Sequence, residues 1–98
     1  MFAAAVAFEL HLPECHSLKE KRGAVRPIVE GLQRRYRVAA AEVDHQDKWQ
    51  RAGIAVAVVA ASEAHVCDIL DEVERFVWSF PEIEVLDSSR HWLEVETR

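Results

Sequence analysis

The chain has 98 residues, 50% hydrophobic and 30% charged, with a formal net charge of −5. That is far too apolar for a disordered chain and enough for one domain over residues 1–98. The uncharged N-terminal stretch ends at Phe8, too short for a membrane span of ~20 residues, while Cys15 and Cys67 make no disulfide framework; the expectation is a cytoplasmic protein with reduced thiols and no secretory leader.

Met1–Leu12 alternates with a period of two and reads as a strand ended by Pro13. Phe2, Ala4, Val6, Phe8, Leu10 and Leu12 take one side; Ala3, Ala5, Ala7, Glu9 and His11 take the other. Ser17 then stands three residues before Glu20, the spacing of a capping box. Behind it, apolar residues at three- and four-residue steps predict a helix from about Leu18 to Tyr36. Pro27 inside this helix opposes the carbonyl of Gly23, a conflict of about 3 kcal/mol in an ideal helix, so a kink is expected there and not a break.

Val38–Asp44 and Gly53–Ala61 read as two further strands. The linking stretch His45–Arg51 is too short for a crossover helix, so they are antiparallel. Ser62 caps a second helix over about Glu63–Ser79, whose stripe Val66, Ile69, Leu70, Val73, Phe76, Val77 and Phe80 is the cleanest helical period in the chain. Pro81 stops it, and Glu82–Leu86 is the fourth strand. Trp92–Val95 fits a short extra strand and a packed tail equally well, leaving Asp87–Arg98 without an assigned role.

The order βαββαβ predicts an α+β, ferredoxin-like plait, with an antiparallel sheet in the order 4-1-3-2 and both helices on one face. His11–Arg22, Asp44–Arg51 and Ser79–Glu82 then meet at one rim of the sheet. Charge is unevenly divided: residues 1–51 carry a net +2 and residues 52–98 a net −7. The first half therefore offers a surface for an acidic partner.

Three chemistries compete at that rim. His11, Cys15, His16, Asp44, His45 and Asp47 include metal-competent ligand types, but no CxxC or HExxH spacing organises them. The plainer reading has Asp44 and His45 holding the hairpin turn. Lys19, Lys21 and Arg22 crowd a helix N-terminus, where cations are unfavourable without an anion. Phosphate would supply one; Glu14, Glu20, Asp44 and Asp47 are the candidate internal partners. Finally, the basic run through Arg37, with Lys48, Trp49 and Arg51 on the hairpin, suits phosphate contact and base stacking. Against that stand the negative net charge and an outer sheet face that is Ala-rich where RNA-recognition plaits carry aromatics. An apolar outer face calls for a cover, either a second copy of the chain or the Trp92–Val95 tail. No nucleophile–base pair and no glycine-rich phosphate loop is present in the sequence.

The blocks Glu9–Arg22 (ELHLPECHSLKEKR) and Ala41–Ala60 (AEVDHQDKWQRAGIAVAVVA), followed by AHVCDILDEVERFV and PEIEVLD, resemble the bacterial YlxP-like family, whose function is unknown. The resemblance implies a small cytosolic protein of ferredoxin-like fold, with genes often placed near those for translation initiation and ribosome-binding factor A. Gly23, Pro27 and Cys15 depart from the family's usual residues, and no catalytic residue carries over. The expectation is a non-enzymatic accessory protein without a cofactor or metal, binding RNA or a ribosomal component. Its contacts would be Lys19, Lys21, Arg22, Lys48, Trp49 and Arg51, with the loop oriented by His16, Asp44, His45 and Asp47. The alternatives are an enzyme with a His/Asp acid–base or metal site for a small anionic metabolite, and a structural dimerisation module.

Overall fold

The computed structural model describes residues 1–93. Strand β1 (Phe2–His11) lies inside the sheet, antiparallel to β3 (Arg51–Ala60) on one side and to β4 (Glu84–Leu93) on the other. Strand β2 (Ala39–Asp44) pairs with β3 at the far edge, giving the order β2-β3-β1-β4, which is the predicted plait read from its other side. Helices α1 (Leu18–Tyr36) and α2 (Glu63–Trp78) pack into a single core with the inward residues of the sheet. Val6, Phe8, Leu10, Ile54 and Val56 meet Ile28, Leu32, Leu70 and Val73 there, all fully or almost fully buried. Each such side chain contributes about 1.5–3 kcal/mol of transfer free energy relative to exposure.

The local signals explain why these segments adopt these forms. The Ser17 hydroxyl accepts the Glu20 N–H at 3.1 Å, and the Ser62 hydroxyl accepts the His65 N–H at 3.2 Å, so each helix starts on its predicted cap. Helix α1 continues through Pro27 without a break; Pro27 and Gly23 are both exposed, so the carbonyl that loses its donor lies on the solvent side. Gly31 permits close approach of the helices, since a Cβ there would lie 2.5 Å from Cζ of Phe76. Phe76 in turn stacks edge-on against Tyr36 and Phe80, and the Arg35 guanidinium covers its ring at 5.5 Å.

Strand β4 departs most from expectation. It begins at Glu84 and runs ten residues, so Trp92 and Leu93 belong to it, in register with Ala4 and Ala3. They therefore form neither a separate strand nor a folded-over tail, while Glu94 and Val95 lie outside the described residues. Periodicity found the start of this strand and missed its second half, because there the helix-facing side is polar. Ser88 and Arg90 stand opposite Phe8 and Val6, and Arg90 is bound to α2 through Glu74 at 3.0 Å and Asp71 at 2.6 Å. Both carboxylates hold the guanidinium above its ordinary pKa range.

Candidate functional site

The segments that the topology sends to one rim do meet there. The Leu12 N–H donates to the Gln50 carbonyl at 2.9 Å, and the Gln50 side chain donates to the Pro13 carbonyl at 3.3 Å. His11 sits in register with both Arg51 and Glu84, its ring nitrogen 3.3 Å from the Glu84 carboxylate. The helix start, the hairpin and the beginning of β4 thus share one end of the sheet.

His45 organises the hairpin. Its backbone is in the left-handed region (φ 61°), a conformation that costs an L-residue about 1–2 kcal/mol. Four contacts hold it: its N–H donates to Asp44 Oδ1 at 2.9 Å, its ring Nε2 lies 3.1 Å from Glu9 Oε2, and its carbonyl accepts the Lys21 ammonium and the Lys48 N–H. Arg51 Nη2 completes the group, 2.7 Å from Glu9 Oε2. Of the four residues expected to orient the loop, Asp44 and His45 make these contacts. His16 and Asp47 are exposed, with no side-chain hydrogen bond among the described residues.

Glu9 is the carboxylate that sequence reasoning passed over. Its pKa lies below the ordinary value of 4.5, chiefly through the Arg51 hydrogen bond; partial burial opposes the shift and the His45 contacts add to it. A depressed folded-state pKa contributes stability that is complete above the unfolded value and is lost as pH falls through the folded one. The stability gap between wild type and Glu9→Gln is therefore expected to be widest above about pH 4.5 and to shrink in more acidic solution. Urea midpoints at neutral pH and at successively lower pH measure it; a gap that does not change with pH contradicts the assignment.

The six predicted contact residues divide in two. Lys21 is 2% exposed, with Nζ 2.8 Å from Glu42 Oε2, so it is a structural strut out of reach of an external phosphate. Its partner is none of the four carboxylates expected to compensate the helix start. Glu42 was legible as a carboxylate at an inward position of β2, which demands a buried cation. Arg51 is half-exposed and committed to Glu9. Lys19, Arg22 and Lys48 are exposed, with no carboxylate within 4.0 Å among the described residues, and Trp49 is 52% exposed. Arg26 joins them. With Lys19 and Arg22 it forms an i, i+3, i+7 stripe about 10 Å long on α1, lining a groove of about 430 Å³ with Gly23, Pro27 and Glu30.

The metal-competent set separates. His11 goes to Glu84, the Cys15 thiol is buried with its pKa raised chiefly by desolvation, and His16 is exposed with no side-chain partner among the described residues. Glu9, Asp44 and His45 do bring ligand atoms within 4.8 Å of one another. The Arg51 guanidinium on Glu9 already supplies a positive charge there and opposes a metal ion electrostatically.

Comparison with known proteins follows the same outline. A family model described as "Protein of unknown function (DUF503)" matches residues 3–90. The chain is 37% identical over 76 residues to the "Uncharacterized protein YlxP" of Bacillus subtilis (strain 168), covering 78% of this chain and 83% of that one. Among solved structures, a de novo designed protein with ferredoxin fold is similar at a TM-score of 0.54 and 12% identity, covering all of this chain and 91% of that one. A dimeric ferredoxin-like protein from an uncultured marine organism is similar at 0.53 and 10% identity, covering 99% of this chain and all of that one. Likeness at such identities is likeness of fold.

Proposed function

Since the chain belongs to the YlxP-like family DUF503, whose function is unknown, we propose a function from its own surface: a non-enzymatic accessory protein that binds RNA, in the setting of translation or ribosome maturation. The observation that carries the reading is the division of the cations. Buried or committed ones (Lys21, Arg51, Arg90) lock the fold, whereas Lys19, Arg22, Arg26 and Lys48 stand exposed with no carboxylate within 4.0 Å among the described residues. An uncompensated cationic stripe at a helix start, beside a hairpin tip bearing an exposed Trp49, suits a phosphate backbone with an unstacked base nearby. Asp44 and His45 act by fixing that tip. The negative net charge is compatible with this reading, because the acidic excess belongs to residues 52–98 and steers the basic half toward a polyanion.

Lys19→Glu combined with Arg22→Glu tests it, both positions being solvent-exposed. The expected result is a fall of at least about tenfold in affinity for ribosomal RNA fragments, with the log–log salt slope reduced by about 1.5–2 units and the thermal midpoint nearly unchanged. Fluorescence anisotropy across a salt series reads both. Wild-type protein that shows no salt-dependent binding to RNA, or a variant that binds equally well, overturns the proposal.

A further inference from the structure

Beyond Lys19, Arg22 and Arg26, the exposed face of α1 stays basic to the far end of the helix. At about 100° per residue, Lys19, Arg22, Arg26 and Arg34 fall within an arc of about 120°, and Arg37 follows at the C-cap. The row is about 27 Å long at ~1.5 Å per residue. Glu30 is the carboxylate on that arc, in an exposed pair with Arg34 at 3.7 Å, so five cations meet one anion on this face of a chain whose net charge is −5. Lys21 and Arg35 lie on the opposite side of the helix, Lys21 against Glu42 and Arg35 over the Phe76 ring. No aromatic interrupts the row: Tyr36, the aromatic residue of α1, is half-buried edge-on to Phe76. One aromatic stands at its end. The hairpin that bears the exposed Trp49 is tied to the start of α1, where the Lys21 ammonium donates to the His45 carbonyl and Gln50 donates to the Pro13 carbonyl at 3.3 Å.

From this arrangement, and resting on the RNA reading above, we infer that the ligand is an RNA duplex flanked by an unpaired nucleotide. The stem lies along α1 from Arg37 to Lys19, and the unpaired base stacks on Trp49. A surface that offers charge and no stacking platform discriminates by phosphate density. Over the length of the row a duplex presents roughly 16 phosphates, at one per ~1.7 Å of axis, against roughly eight on one strand at ~3.4 Å. Surfaces that hold single strands interleave their cations with successive stacking aromatics. The exposed face of α1 has none, and the outer face of the sheet presents Ala3, Ala5, Ala7, Ala55 and Ala57 in their place. A straight helix also matches a stiff rod, and a lone aromatic at one end accommodates one splayed base, which a continuous duplex does not offer. Of the other exposed tryptophans, Trp78 belongs to α2 and Trp92 to β4, the sheet edge opposite β2.

Fluorescence anisotropy on the full chain with three synthetic RNAs of one sequence decides it: a single strand, its blunt duplex, and that duplex with one strand extended past the end. The blunt duplex is expected to bind more tightly than the single strand. The extension is expected to add at least about fivefold, the lower end for one base stacked on an aromatic. Trp49→Ala should abolish that gain while leaving the blunt duplex unaffected, and Trp78→Ala should preserve it; both side chains are exposed, so circular dichroism should show both variants folded. Arg34→Gln combined with Arg37→Gln, at the end of α1 remote from Trp49, should weaken both duplexes and lower their log–log salt slope by about 1.5–2. A single strand that binds as tightly as the blunt duplex overturns the inference and leaves RNA binding standing. So does an extension that adds nothing, a gain that survives Trp49→Ala or is lost in Trp78→Ala, or a salt slope unmoved in the Arg34 and Arg37 variant. Failure to bind any of the three RNAs overturns the RNA reading itself, and this inference with it.

Discussion

Lys21→Ala is expected to lower the free energy of unfolding by about 2–4 kcal/mol. The ammonium has two partners, the Glu42 carboxylate and the His45 carbonyl, and the side chain is almost wholly enclosed. Deleting it strands a carboxylate whose side chain is only 25% exposed and frees one of the contacts that keep His45 in the left-handed region. Removing one partner of a fully buried pair costs about 3–5 kcal/mol, and the partial exposure of Glu42 reduces that figure. Replacing both partners with apolar residues, Lys21→Met with Glu42→Leu, is expected to recover most of the loss, because no charge is then left buried. Urea denaturation of Lys21→Met, Glu42→Leu and the double variant measures the coupling. A Lys21→Ala variant within about 0.5 kcal/mol of wild type would show that the strut carries no stability.

Gly53→Val is expected to destabilise by about 1–3 kcal/mol through overpacking, although valine is the better strand former by up to ~1 kcal/mol. Gly53 pairs with Asp44 across a register shift that leaves Val43 as the extra residue of β2. A Cβ at Gly53 would lie 2.7 Å from the Asp44 Cβ and 3.5 Å from its backbone N and Cα. These are not flexible side-chain ends, so Asp44 must move, and His45 with it. The loss should therefore appear twice: as a lower urea midpoint, and as altered NMR shifts of the Glu9, His45 and Lys48 amides. A variant as stable as wild type with unchanged shifts would mean that the bulge has room the structure does not show.

Most of the architecture was legible because it rests on short-range rules. Alternation of side chains along β1 and β3, serine caps at Ser17 and Ser62, and the three–four spacing of α2 are properties of consecutive residues. Handedness and connection length then leave one arrangement of a βαββαβ chain. The second half of β4 was hidden because its inward residues Ser88 and Arg90 are polar. Only Glu74 and Asp71 on α2 make that side of the strand compatible with packing.

The site divides along the same line. That cations gather at the helix start and on the hairpin, and that the two segments share a rim, followed from residue type and topology alone. Which cations are free did not. Lys19, Lys21 and Arg22 are near neighbours in sequence, yet helical geometry turns Lys21 inward to Glu42 while Lys19 and Arg22 face water. Pairing depends on rotation about the helix axis and on which carboxylate a distant strand presents, and neither is encoded in local spacing. Composition and periodicity thus set the elements and their order; tertiary packing decided which charges are spent within the fold, because an ion pair is a distance between groups far apart along the chain.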